Sequence, residues 1–394
     1  MTGPYRTLLA LPGAAAFVTA GLAARLAHLT TVLGIVFLVS ALTGSYGLGG
    51  LVSGAYALAY SLVAPLLGRL ADRHRQGPIL VATAVATTVT RTGFLVAAGA
   101  GAPAWVLVIL AAASGASMPA IGPFVRARWA HLLTGSPRLH AATSFESVVD
   151  ELLLVIGPVL VSTSVAYLHP AAALILAVPL AAGGSIALAL QHRTEPPGAP
   201  ADRSTPGTAL RTPGLPLLLL TFALISTVLI GLDVAVIAYT ERQGTQALSG
   251  WILATVAAGS ALSGLWYGAR DWSRPPHRRL TVVLPMLTVG TVPFVVAPTT
   301  GWLFPAAFTL GLTLAPAFID GFSIAGRAVA AHHRTEGLTW LTTAAGIGIS
   351  VGSATAGVLV DTRGTTAAFA LATGCAATAA LAGHAASRRL TTAR

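Results

Sequence analysis

The stretch GRLADRHRQGP, residues 68–78, sets Asp72 among Arg69, Arg73 and Arg75 in a chain otherwise almost free of charge. Long apolar segments rich in Ala, Leu, Gly and Ser run on both sides of it. Across all 394 residues, 55% are hydrophobic and only 9% charged, and the mean hydropathy is +0.78. Soluble domains carry about 25% charged residues, so this chain lacks the polar surface that water demands of a globule of its size. Its apolar runs repeatedly reach the roughly 20 residues needed to cross a bilayer as a helix. The charged island is therefore a loop between membrane spans.

Twelve apolar runs emerge between polar, Pro or Gly breaks: 14–42, 47–68, 78–98, 103–125, 142–164, 170–190, 215–240, 248–268, 280–297, 302–326, 338–360 and 366–386. They are long and Ala/Leu-rich, with no alternating pattern, and so predict helices rather than barrel strands. The first run, from about Leu8, is too long for a signal peptide and has no clear cleavage site, so it is read as an uncleaved span. The single cysteine, Cys375, excludes a disulfide framework.

All 23 basic residues are arginine, a composition that GC-rich bacterial codon usage produces. With the N-terminus inside, nineteen arginines fall in inner segments, only Arg242 and Arg363 in outer loops, and Arg25 and Arg91 within spans. Such asymmetry is the positive-inside rule. It places both termini in the cytoplasm and makes the formal +11 charge a topology signal, not a nucleic-acid patch. Without lysine the phosphate-loop pattern G-x-x-x-x-G-K-[ST] cannot occur, so ATP-driven work by this chain alone is not expected.

The polar segment 191–214, rich in Pro and Gly, reads as a flexible cytoplasmic linker between an N-terminal six-span half (1–190) and a C-terminal one (215–394). The halves share traces of duplication. SGAYALAYSLVAPLLG (53–68) and SGWILATVAAGSALSG (249–264) both open on Ser-Gly and carry a Gly fourteen residues after Gly54 and Gly250, namely Gly68 and Gly264. Gly157 with Pro158 in span five corresponds loosely to Gly346 in span eleven. Small residues of this kind allow membrane helices to pack closely.

Twelve spans, a central cytoplasmic linker and two related halves resemble the major facilitator superfamily. The opening stretch sits where that family carries G-x-L-A-D-R-x-G-R-[RK]: Gly68, Leu70, Ala71, Asp72 and Arg73 match in place, while Arg75 stands where the signature has Gly. The resemblance implies an all-α membrane fold of two pseudo-symmetric six-helix bundles and a cytoplasmic gate formed by Gly68, Leu70, Asp72 and Arg73. The physical reading beside it has Gly68 allowing a close helix approach and Asp72 meeting a helix N-terminus and nearby arginines. The family's span-four arginine is missing, and span five keeps only Gly157-Pro158 of a glycine-rich antiporter pattern.

Ionisable groups inside the bilayer cost about 3 kcal/mol even on lenient scales, so they face partners or a wet cavity. Span five, TSFESVVDELLLVIGPVL, holds Glu146 and Asp150 four apart on one face, with Glu151 about 100° round the helix. Crowded carboxylates in an apolar medium are the setting of a proton carrier. Arg25 lies three residues from His28 in span one and is placed to pair with a span-five carboxylate or an anionic substrate group. Arg25, Asp150, Glu151 and Asp233 are the candidates for substrate or proton coupling; Arg91 and Asp320 read as structural ion pairs, and Glu146 as solvated near a helix end. No metal site, cofactor site or catalytic constellation stands out. Trp105, Trp251, Trp302 and Trp340 sit near span ends and read as interfacial anchors.

The resulting expectation is a monomeric secondary transporter of the bacterial plasma membrane working by alternating access. Its first form is proton-coupled export of a small, partly apolar compound by an antiporter. The second is uptake or exchange of a small polar metabolite, which the scarcity of Asn and Gln in the spans disfavours. A membrane sensor or embedded enzyme is the rival from another class.

Overall fold

The computed structural model describes residues 3–134, 136, 138–197, 212–268, 272–297, 299–328 and 334–392. Among the described residues there are fourteen α-helices and no strand. They are α1 (Gly3–Leu9), α2 (Ala14–Thr43), α3 (Tyr46–His74), α4 (Gln76–Gly99), α5 (Ala104–Ser117), α6 (Ile121–Leu132) and α7 (Arg138–Tyr167). The series continues with α8 (Ala172–Ala189), α9 (Leu215–Arg242), α10 (Leu248–Gly268), α11 (Pro276–Val295), α12 (Leu303–Ala328), α13 (Arg334–Arg363) and α14 (Thr365–Thr392). Twelve helical stretches among these residues are long and apolar enough to cross a bilayer. Hydrocarbon offers the backbone no hydrogen-bond partners, so each crossing segment satisfies its own amides as a helix.

Span four is the exception to one helix per crossing. It is α5 followed by α6, because Met118 precedes Pro119 and adopts φ −85°, ψ 118°, the extended geometry that a following proline imposes. The proline also lacks the amide that would continue the ladder. Span four runs through to Leu132. Arg126 and Arg128 therefore lie on α6 and not in the inner loop where the sequence reading set them. Pro158, by contrast, is absorbed inside α7.

The described contacts group the chain into two units: Met1–Ile35 with Ala59–Arg203, and Val36–Leu58 with Ser204–Arg394. In the first, α4 packs on α8 and on α5; in the second, α11 packs on α14 and on α12. Counted as spans, these are three against six and four, then nine against twelve and ten. The same neighbours recur in each. Gly44 ends α2 at φ 69° and Gly244 ends α9 at φ 68°, the left-handed closure that glycine permits without strain. The pseudo-symmetric twelve-helix fold is present.

The charged stretch departs from a loop. The α3 helix continues through Leu70, Ala71, Asp72 and Arg73 to His74, and α4 begins at Gln76. Nothing in Leu-Ala-Asp-Arg-His breaks a helix, so the turn is compressed into Arg75, with φ 82°.

Candidate functional site

Arg25 is buried in the first unit, held by three separate contacts. Its Nε donates to the Gly21 carbonyl (3.2 Å), Nη1 to Asp150 Oδ1 (2.7 Å) and Nη2 to Glu146 Oε2 (2.7 Å). The α7 helix makes this possible by stacking Glu146 and Asp150 one turn apart on one face, at the spacing a planar guanidinium fork can span. Gly21 leaves room for α6, since a Cβ there would lie 2.5 Å from Val125 Cγ2.

Both carboxylates are fully engaged. The second oxygen of Glu146 accepts from Trp129 Nε1 (2.9 Å), and the Trp129 ring meets Phe17 edge to face at 4.8 Å. Asp150 Oδ2 accepts from Arg126 Nη2 at 2.5 Å. Two guanidiniums thus face two carboxylates with no formal excess of charge. The members differ in exposure: the Glu146 side chain is 0% exposed, Arg25 8%, Asp150 35% and Arg126 41%. Glu146 and Arg25 form the sealed half of the cluster and Asp150 with Arg126 the wet half.

Asp150, with Arg25, opens on a cavity of about 260 Å³. Arg25, His28, Tyr60 and Asp150 supply its polar wall; Leu29, Met118, Ile121, Leu153 and Leu154 supply much of the rest. The break in span four, Met118 to Pro123, runs along one side. The His28 ring stacks on Tyr60 with centroids 4.0 Å apart.

Sequence reasoning missed two members. It assigned Glu146 to interfacial water, whereas Arg25 and Trp129 enclose it. It assigned Arg126 to a topogenic loop, whereas α6 carries it to Asp150. Their signals were an i, i+4 acid pair on α7 and an arginine within reach of a proline break. The Glu151 side chain lies outside the described residues, as do those of Asp72 and Arg73. Asp233, half-buried on α9, makes no ion pair among the described residues.

The remaining intramembrane charges tie helices together. Arg91 of α4 donates to the Ala177 carbonyl of α8 at 3.2 Å. Asp320 of α12 accepts from Tyr267 of α10 (2.5 Å) and pairs with Arg279 of α11 (2.6 Å). Arg279 also lies over the Tyr267 and Trp272 rings, 5.0 and 5.3 Å from their centroids.

Of the gate and packing positions, Leu70 is exposed, and a Cβ on Gly68 would meet nothing within 4 Å. The described residues leave open space around Gly68. Gly54 does lie against a neighbour: a Cβ would sit 2.8 Å from the Ser350 carbonyl oxygen. The corresponding distances are 3.4 Å to Leu29 Cβ for Gly157 and 3.0 Å to Ala315 Cβ for Gly264. Gly250 and Gly346 are buried within α10 and α13.

Two structures at the helix ends were not anticipated. Glu195, 2% exposed in its side chain, accepts from the Gly77 amide (2.6 Å) at the start of α4 and pairs with Arg75 (3.2 Å). Arg128 beside it is buried on Gln76 (2.9 Å), the Gln191 carbonyl (3.0 Å) and Thr194 (2.9 Å). In the second unit, Asp361 at the end of α13 caps the start of α3, accepting from Ser45 Oγ (2.6 Å) and the Tyr46 (2.8 Å) and Gly47 (2.6 Å) amides. Tyr46 donates its hydroxyl to Glu241, and Ser53 meets Ser353 at 2.6 Å.

Among the described residues no three of His, Cys, Asp and Glu converge as a metal site requires. What the first unit offers is a small, mostly apolar cavity with a paired-charge cluster in its wall, inside a bundle of membrane-spanning helices. The profile of the Major Facilitator Superfamily matches residues 14–319, and the chain belongs to that family. It is a multi-pass membrane protein of a transporter family, not of an enzyme family. The solved structures it is similar to include the human organic anion transporter MFSD10 (16% identity, TM-score 0.63, covering 97% of this chain and 100% of that one). An auto-inhibited POT family peptide transporter matches at 12% identity and TM-score 0.74, over 95% and 96% of the two chains. A mutant form of the nucleoside transporter NupG matches at 14% and 0.70, over 94% and 99%. Cargoes so unlike, at such identities, establish the fold alone. No curated protein sequence matches the chain.

Proposed function

We propose that this protein is a secondary active transporter working by alternating access, with the cavity beside Arg25 and Asp150 as its substrate site and Asp150 as the group that takes up and releases a coupling proton. One observation carries the reading. Asp150 is the carboxylate that is both ion-paired and open to the cavity, so its protonation state and the cavity's occupant act on the same two arginines. Glu146 is sealed and serves to fix Arg25. The apolar lining suits a small, partly apolar compound; export of that compound rests on family likeness alone. The arginine-rich end is assigned to the cytoplasm of a bacterial plasma membrane by the positive-inside count. Asp72 and Arg73 remain the proposed gate at that end, and opening the other end requires Asp361 to release α3.

The test is accumulation in proteoliposomes under an imposed pH gradient, using the compound that most raises the melting temperature of the purified protein in a thermal-shift screen. Asp150→Asn should abolish gradient-driven accumulation while leaving exchange at equal pH. If Asp150→Asn and Glu151→Gln, alone and combined, keep full accumulation, the assignment of the proton site falls.

A further inference from the structure

We propose that the occupant of this cavity is a small organic anion with an apolar, flat body, and that its charged group replaces the Asp150 carboxylate between Arg25 and Arg126. This rests on the transport reading above and adds to it a substrate class and a sign of coupling.

The geometry separates the two arginines by function. Arg25 is fixed independently of Asp150, by Glu146 and the Gly21 carbonyl. Arg126 has Asp150 as its single ion-pair partner among the described residues, and its Nη1 lies where a Cβ on Gly122 would come within 3.3 Å. Glycine at 122 therefore keeps the cavity wall bare beside that guanidinium. When Asp150 gains a proton, its grip on both arginines weakens. The cluster then holds Arg25, Arg126 and one carboxylate, Glu146, and carries an excess positive charge at the cavity, with Arg25 in its wall and Arg126 beside the lining Gly122.

A cation gains nothing here, because all four carboxylate oxygens are already engaged by Arg25, Arg126 and Trp129. A neutral guest would leave the cluster closed. An anion fits the vacated position, where guanidiniums pair well with planar or tetrahedral oxyanions. The stacked His28 and Tyr60 rings, with Leu29, Leu153 and Leu154, suit a flat apolar body.

The thermodynamic sign follows. Protonation of Asp150 and anion binding favour each other, and such coupling is reciprocal. Proton and anion therefore occupy the site together and move in the same direction. This is co-transport, so an inward proton gradient drives uptake, and it replaces the export by antiport expected from the family resemblance. The titratable and charged groups around Asp150 are Arg25 and His28 of α2, Tyr60 of α3, Arg126 of α6 and Glu146 of its own helix. The α8 segment contains no ionisable residue, and Arg6 of α1 and His131 of α6 are exposed. A proton on His28 would also favour an anion, so the Asp150 variant is the discriminating one.

The experiment measures binding to the full-length protein in detergent by titration calorimetry between pH 5.5 and 8. Its probes are benzenesulfonate, which stays ionised throughout, benzyl alcohol and benzylamine. Benzenesulfonate should bind best and should tighten on acidification, approaching tenfold per pH unit for one linked proton. In Asp150→Asn, an isosteric change, it should bind tightly with a flat pH profile. In Arg126→Gln it should weaken at least tenfold. The substrate class is overturned if benzenesulfonate fails to bind at millimolar concentration, if benzylamine outcompetes it, if its affinity falls on acidification, or if Asp150→Asn keeps the slope. Should any of the first three occur while Asp150→Asn still abolishes gradient-driven accumulation, the proton site stands and only the anion is lost. If accumulation also survives in that variant, both readings go.

Discussion

Arg75 has the only positive φ, 82°, among the described non-glycine residues. With ψ at 155° it lies in the extended positive-φ region that glycine alone adopts freely, which costs a side chain about 1–3 kcal/mol. The family signature has Gly here, and the backbone keeps the shape glycine would take. The strain is offset locally: the Arg75 guanidinium pairs with Glu195, whose carboxylate caps the first turn of α4 through the buried Gly77 amide. A negative charge at a helix N-terminus is stabilising. Arg75→Gly should therefore change stability by less than about 1 kcal/mol, since relieved strain and a lost, half-exposed ion pair nearly cancel. Glu195→Ala strands a buried amide and should cost about 1–3 kcal/mol. Thermal unfolding of the two variants in detergent, followed by tryptophan fluorescence, checks the contrast. Equal losses would show that the cap contributes nothing.

At the scale of the helix, close packing depends on which glycines meet backbone. A Cβ on Gly348 of α13 would collide with the Ala223 carbonyl of α9, whereas one on Gly374 of α14 would meet nothing within 4 Å. Gly348→Ala should lower stability by more than about 2 kcal/mol through forced separation of the two helices. Gly374→Ala should be neutral or stabilising by about 0.5–1 kcal/mol, from the better helix propensity of Ala. The melting temperatures of the pair provide the check. Spans were legible in the sequence because hydrocarbon imposes one simple demand, an apolar run of fixed length, and all twelve runs recur as helices. Tertiary partners were not. Glu146 reads as an interfacial acid until span one brings Arg25 to it. Asp361 and Tyr46 are 315 residues apart, and no local pattern links a helix C-terminus to another helix's first turn. The signature stretch misled in a third way, since a charged segment with no Gly or Pro between positions 69 and 76 is as good a helix as a loop.

For the whole molecule, the proposed alternating access requires one site that faces each side of the membrane in turn. The two units repeat the same helix neighbours, as carriers built from duplicated halves do when they rock about a central site. Cysteine accessibility tests this directly. With Cys375 replaced by Ser, a cysteine at Leu154, which lines the cavity, can be probed by a membrane-impermeant maleimide from either face of oriented vesicles. The account predicts labelling from both faces, with the balance between them shifting when pH or a bound ligand changes. Labelling from one face only, at every pH and with every ligand, would contradict it.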